Sequence, residues 1–278
     1  MSKKEKNQVI KELKTLKYLN AEDKEKLIIE FSDGVYNEEK DELIKIGKKG
    51  FYCSRISERL FDYLNGFWIN THCIYQFEEN KLLVHKVKDV PLKITITTKA
   101  DRRTAKKNGV EEDSFFNPVL FETFVVEKDF SERQCDEIEV AEKRYFNDVP
   151  YNRVKQSLIK ANSVLKGYFA RRGLDLYKID FYLGFLDNKP VLAGPLSPDE
   201  FIVKDIETGQ YMGKEGVILN ENDGKKSYQN LYEILFAEEY QPAFERIKVQ
   251  DDYGKSKNSD EFEDDVDLNQ DEFEEEFE

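Results

Sequence analysis

The chain has 278 residues, with 43 Lys/Arg against 57 Asp/Glu and a formal net charge of −14. That length supports one large domain or two small ones with a real core, and no run of 18 apolar residues is present to span a membrane. Residues 251–278 hold 14 Asp/Glu and 2 Lys, so the body before them is nearly neutral, at −2, and the acidity belongs to the tail.

The opening "MSKKEKNQVIKELK" is charged and lacks the apolar centre of a signal peptide, so a cytoplasmic protein with no membrane association is expected. Residues 1–20 read as a short helix or a mobile start. "KLIIEFS" (26–32) reads as a strand. "FYCSRISERLFDYLNG" (51–66) places Ile56, Leu60, Phe61 and Leu64 at helical spacing, with Gly66 as a stop. "KLLVHKV" (81–87) and "PLKITITT" (91–98) read as strands. The second alternates Leu92, Ile94 and Ile96 with Lys93, Thr95 and Thr97, the pattern of a half-buried strand. "NPVLFETFVVEK" (117–128) is a further strand.

A helix is predicted after Pro150, with Val154, Leu158, Ala161, Leu165 and Phe169 on one face and Gly173 at its end. "YKIDFYLGFLDNKPVLAG" (177–194) reads as a hairpin turning at Asp187-Asn188-Lys189. A last helix is predicted over about 226–247. From Asp251 onward the composition cannot form a core and reads as disorder. Strands come first, helices are interspersed and no internal repeat is present, so the fold class is α+β.

Few residues suggest chemistry by spacing alone. Cys53, Cys73 and Cys135 form no CxxC pair and read as small buried hydrophobes. His72 and His85 lie far apart, no Walker A sequence occurs, and no metal-ligating set is expected. "KADRRTAKK" (99–107) is either a solvated loop or a phosphate- or nucleic-acid-binding patch built on Lys99, Arg102, Arg103, Lys106 and Lys107. Lys86, Lys88, Lys93, Arg153, Lys155, Lys160 and Lys166 are candidates to extend it. Phe115 and Phe116 are nearby aromatics expected in the core. The tail sets Phe262, Phe273 and Phe277 among acids, which reads as a solubilising segment or as a protein-partner-recruiting one.

The order of "GFWINTHCI" (66–74), "LLVHKVKDVPLKI" (82–94), "KKNGVEED" (106–113), "KANSVLKGYFARRGLDLYKIDFYLGF" (160–185) and "PVLAGPLSPDEFIVKDIETGQYMGKE" (190–215) resembles SAICAR synthetase. That purine-pathway ligase joins aspartate to a carboxylated aminoimidazole ribotide using ATP. The resemblance runs from about Lys14 to Phe236. It implies a two-lobed α+β fold with a kinase- or ATP-grasp-like cleft. The lobes would be 1–98 and 99–250, followed by the tail 251–278. It also implies ATP and Mg²⁺ as cofactors.

By the same resemblance Lys14 and Lys17 would reach phosphates, although the glycine of the family's phosphate loop is absent. The family's lysine and glutamate on the first hairpin strand become Asp180 and Tyr182. The Asp-Glu before Ser-Pro-Asp becomes Gly194-Pro195. The substrate arginine becomes Thr97, the Gly-Ser pair becomes Arg102-Arg103, and Lys214 alone survives from a later Asp-Lys-Asp. Thr71, Gly109, Glu111, Gly184, Ser197, Pro198 and Asp199 are retained, and Asp33 and Ser57 match weaker positions. Asp199 and Asp180 are therefore the candidate catalytic carboxylates, and Ser57 joins the substrate side. Ser197-Pro198-Asp199 also reads as a plain turn in which Asp199 caps a short helix.

The leading reading is a divergent family member without ligase catalysis, a pseudoenzyme binding a nucleotide, a nucleic acid or a protein. The alternative is an active ATP-dependent ligase in purine or modified-nucleotide synthesis. The second alternative is an acidic-tailed single-stranded nucleic-acid-binding protein.

Overall fold

The structure is a computed structural model, and it describes residues 16–37, 40–127, 131–219 and 224–237. All of them fall in the first of two units, Met1–Glu239. Lys14, Phe262, Phe273 and Phe277 lie outside the described residues.

The chain begins with β1 (Lys17–Asn20), so residues 17–20 form a strand where a helix or a mobile start is expected. It continues through β2 (Lys26–Glu30), β3 (Gly34–Asn37), β4 (Glu42–Lys45) and α1 (Lys49–Asn65). Strands β5 (Cys73–Glu78) and β6 (Lys81–His85) complete an antiparallel four-stranded sheet of order β1-β2-β6-β5, with β3-β4 a separate hairpin. Helix α1 buries Ile56, Leu60, Phe61 and Leu64, the face its spacing predicts. Its N-terminus is capped from outside, because Asp33 Oδ1 accepts from the Gly50 amide at 2.8 Å.

The second sheet starts with β7 (Lys88–Lys99). Next come α2 (Arg102–Asn108), β8 (Phe115–Val126), β9 (Glu132–Cys135), α3 (Glu137–Glu142) and α4 (Tyr151–Ala170). The chain then runs through β10 (Leu174–Leu186), β11 (Lys189–Ala193), β12 (Phe201–Asp205), β13 (Tyr211–Met212), α5 (Gly213–Leu219) and α6 (Ser227–Phe236). The predicted last helix is seen as α6, which ends at Phe236 with Ala237 outside helical geometry, and residues 238–247 lie outside the described residues. The sheet order is β13-β12-β10-β7-β8-β9, with β11 also on β10 and every ladder antiparallel. Asp187 and Asn188 both take positive φ, 49° and 61°, at the tip of the β10–β11 hairpin. That geometry suits a tight turn between twisted strands.

Three expectations change. Thr95 and Thr97 are 1% and 0% exposed, so β7 is buried on both faces. Strand β7 is central, with β8 on one side and β10 on the other, and its second face is covered as well. Residues 99–107 are not a loop. Asp101 Oδ1 accepts from the Arg103 and Thr104 amides and starts a helix, and Gly109 ends it at φ 65°. Phe115, expected in the core, is 67% exposed.

Candidate functional site

Strand β10 is 13 residues long and changes partner along its length. Leu174–Ile179 pair with β12, whereas Tyr182–Leu186 pair with β11. The connection Gly194–Glu200 crosses the junction, and the Asp180 amide donates to the Glu200 carbonyl at 2.8 Å. The Asp180 and Tyr182 side chains, the Ser-Pro-Asp turn and Gly194 are thereby brought to one place.

Asp180 accepts from the Thr95 hydroxyl at 2.6 Å, and Lys93 Nζ stands 3.8 Å away while pairing with Glu132. Two residues on, the Tyr182 ring lies over Gly194. Gly194 has φ 70°, and a Cβ built there would come 3.0 Å from Tyr182 Cβ and 3.3 Å from its ring. The aromatic ring and the bare backbone are therefore complementary. The turn is held from beneath by His72, whose Nε2 lies 2.9 Å from the Gly194 carbonyl. With that carbonyl as acceptor, Nε2 carries the proton. His72 is 2% exposed, and burial lowers its pKa to about 4, so the ring is neutral.

Asp199 does not cap a helix. Its carboxylate receives the Lys49 ammonium at 2.5 Å and the Tyr228 hydroxyl. Lys49, 3% exposed, also donates to the Ser32 carbonyl at 3.3 Å and faces the Tyr228 ring, 5.5 Å from its centre. Burial alone would raise the Asp199 pKa, but Lys49, Lys214 and these hydrogen bonds outweigh it and hold the group below its ordinary value. Next to it, Glu200 accepts from the Ser197 amide at 2.9 Å and the Ser197 hydroxyl at 2.6 Å. Burial, then the Asp199 charge, raises the Glu200 pKa to about 7.

Asp180 and Asp199 thus belong to two separate networks. Among the described residues no group of three His, Cys, Asp or Glu side chains is placed to hold a metal ion. Two phenols, Tyr182 and Tyr18, sit among carboxylates. Tyr182 is pushed well up by burial and by Glu200, Asp180 and Glu132. Tyr18, on β1, is 54% exposed, and the neighbouring Asp89 and Glu200 carboxylates favour its neutral form.

The remaining predicted residues are scattered. Lys17 lines a cavity of about 160 Å³ with Glu30, Ser32, Asp33 and Asn80. Lys214 lies in the first turn of α5 and its amide donates to the Pro198 carbonyl at 3.4 Å. Ser57 is fully buried in α1 and its Oγ has no hydrogen-bond partner. Lys99 pairs with Asp175 and Lys107 with Glu122, while Arg102, Arg103 and Lys106 are exposed on α2. Lys93, Lys155 and Lys160 are held by Glu132, Glu137 and the Phe67 carbonyl. Sequence reasoning missed Lys49 and Glu200. Lys49-Gly50 at the start of a helix is the signal for the first; for the second, only its position beside Asp199 pointed to it.

The chain matches the family described as SAICAR synthetase over residues 10–232. It belongs to the SAICAR synthetase family. A phosphoribosylaminoimidazole-succinocarboxamide synthase of Wolbachia sp. subsp. Drosophila simulans (strain wRi) is 27% identical over 227 residues, covering 80% of this chain and 94% of that protein. The enzyme of the same name from Thermococcus sibiricus is 28% identical over 217 residues, 76% and 91% of the two chains. The fold agrees with a SAICAR synthetase (Type-2) in complex with ADP, at a TM-score of 0.74, 23% identity and coverage of 81% and 97%. It also agrees with the Ehrlichia chaffeensis enzyme, at a TM-score of 0.73, 22% identity and coverage of 78% and 94%. The SAICAR synthetase fold is thus present through α6.

The β10–β11 register bears on the metal that this family's reaction implies. Magnesium takes oxygen ligands in near-octahedral geometry and is commonly held by carboxylates and substrate phosphates. Where the resemblance expects two carboxylates, Tyr182 fills the space above Gly194. Asp199 is tied to a buried lysine. The residues present do not fit the ion.

Proposed function

We propose that this SAICAR synthetase family member does not form SAICAR and that its cleft serves binding rather than ligation. The observation that carries this reading is the Tyr182 ring packed on Gly194, in the place of a carboxylate pair. Phosphoryl transfer depends on positioning and on cations that neutralise developing charge. Here the groups around Tyr182 and Tyr18 are Asp89, Asp180, Glu132 and Glu200. A magnesium-free triphosphate would meet that charge with Lys17 and Lys214 as the predicted cations, so the tight, magnesium-dependent ATP site of a ligase is not supported.

The deciding experiment supplies purified full-length protein with ATP, Mg²⁺, aspartate and the carboxylated aminoimidazole ribotide. No succinocarboxamide product is expected over background. Steady ATP-dependent product formation sinks the reading and restores the active-ligase alternative. Calorimetry supplies a second readout, in which any heat from ATP is expected to be the same with Mg²⁺ or with EDTA.

A further inference from the structure

One surface around Phe115 combines features that no step above uses. Phe115, at the start of β8, is 67% exposed. Its ring centre lies 4.4 Å from Lys99 Nζ and 5.6 Å from Lys166 Nζ, so cations from β7 and from α4 reach the same ring. The segment joining Lys99 to Phe115 is a closed unit: Ala100 and Asp113 exchange backbone bonds with Ser114 and Ala100, at 2.9 Å each. Helix α2 sits in that unit, capped by Asp101, and presents Arg102 and Lys106 to solvent. Among the described residues Arg102, Lys106 and Lys166 have no ion-pair partner, whereas Lys99 shares its charge with Asp175.

The same motif continues across the sheet. Lys99 also faces Tyr177 at 5.4 Å, and Lys204 lies between Tyr177, at 5.6 Å, and Tyr211, at 5.1 Å. These rings are anchored, since Tyr177 donates to Asp113 and Tyr211 donates to Glu112 at 2.8 Å. They therefore brace the row, and the open ring at its end is Phe115.

An exposed aromatic ring flanked by the unpaired Lys166 and by Lys99, which shares its charge with Asp175, is complementary to a base with its flanking phosphates. We propose that Phe115, with Lys99, Lys166, Arg102 and Lys106, is a binding site for single-stranded nucleic acid. One base stacks on Phe115, and the cations contact the phosphates on either side. A flat polyanion would use the cations alone and leave the ring idle. A duplex would hide its base faces. The inference stands apart from the catalytic state of the cleft, because no residue of the platform belongs to the Tyr182–Gly194 or Lys49–Asp199 networks.

The test is fluorescence anisotropy of a labelled oligothymidylate of about 16 nucleotides with the full-length protein, titrated against sodium chloride. Up to four cation contacts predict a log–log salt slope of about −2 to −3, at roughly −0.7 per phosphate. Phe115→Ala is expected to weaken binding about tenfold with the slope unchanged. Arg102→Glu with Lys106→Glu is expected to weaken it further and to flatten the slope by about 1.4. All three positions are exposed, and circular dichroism checks that the variants stay folded.

Absence of binding at low salt overturns the proposal, as does equal competition by inorganic polyphosphate, which has charge and no bases. If Phe115→Ala instead alters sedimentation of the free protein and leaves oligonucleotide affinity within twofold, the face is a contact between copies and the proposal fails. A rise in affinity in either variant likewise refutes it, since the face would then be filled by an acidic segment.

Discussion

Lys49 illustrates how much of this protein depends on single long-range contacts. Its ammonium is buried, and its carboxylate partner stands 150 residues away in sequence. Breaking a buried ion pair strands one charge, at a cost of about 3–5 kcal/mol when the pair is fully desolvated. The Asp199 side chain is 25% exposed, so water partly relieves it, while Lys49 at 3% has no such relief. Asp199→Asn should therefore destabilise more than Lys49→Met, by about 3 kcal/mol against about 2 kcal/mol. Urea unfolding of the two single variants and the double variant checks this, and a coupling energy near zero would show the pair to be incidental. The sequence around Lys49, "GKKG", marks a helix start, but nothing local announces the partner. Asp199 depends on distant contacts in the same way. Its neighbours in sequence are a turn, and its neighbours in space are α1 and α6.

Among the elements, α2 and the β10–β11 hairpin show opposite degrees of legibility. The hairpin, its turn residues and the apolar face of α4 follow from alternation and helical spacing, which depend on neighbours in the chain. Helix α2 does not, because seven residues with six basic or polar side chains carry no periodic apolar signal. Asp101 starts it, with two amides and the Thr104 hydroxyl bonded to one carboxylate. Asp101→Ala should cost about 1–2 kcal/mol of stability, and the amides of residues 103–108 should lose hydrogen-exchange protection before the sheet does. Unchanged exchange there would mean that packing of Thr104 and Ala105 alone holds the helix. Burial of Thr95 and Thr97 was equally hidden: alternation marks one wet face, but a central strand with a covered second face defeats it. For the hairpin, the contact between Tyr182 and Gly194 predicts a dependence between two substitutions. Gly194→Asp alone forces a Cβ against the ring at positive φ and should destabilise by about 1–3 kcal/mol. In Tyr182→Glu with Gly194→Asp the ring is gone, so the double variant should be less destabilised than the sum of the singles. Simple additivity would count against the packing described for this turn.

At the scale of the whole molecule, the buried His72, bonded to the Gly194 carbonyl, and the half-buried Glu200 at the other end of the Gly194–Glu200 connection set opposing pH dependences. Glu200 has its pKa raised from 4.5 to about 7. The folded state holds that proton more tightly than the unfolded state, so its contribution is complete below about pH 4.5 and is lost as pH rises to about 7. His72 is lowered from 6.5 to about 4. Its unfolded form binds the proton more tightly, so its contribution is complete above about pH 6.5 and is lost as pH falls to about 4. Between about pH 4.5 and 6.5 the two slopes have opposite sign and each is limited to about 1.4 kcal/mol per pH unit. The wild-type protein should therefore show nearly level stability across that window. Glu200→Gln removes one slope and should leave stability rising with pH. His72→Gln keeps a donor for the Gly194 carbonyl, removes the other slope, and should leave stability falling with pH. Urea midpoints at pH 4.5, 5.5 and 6.5 for the three proteins distinguish these patterns. A Glu200→Gln profile parallel to the wild type would mean that Glu200 keeps its ordinary pKa, and that the Ser197 hydrogen bonds offset the burial and the Asp199 charge that raise it.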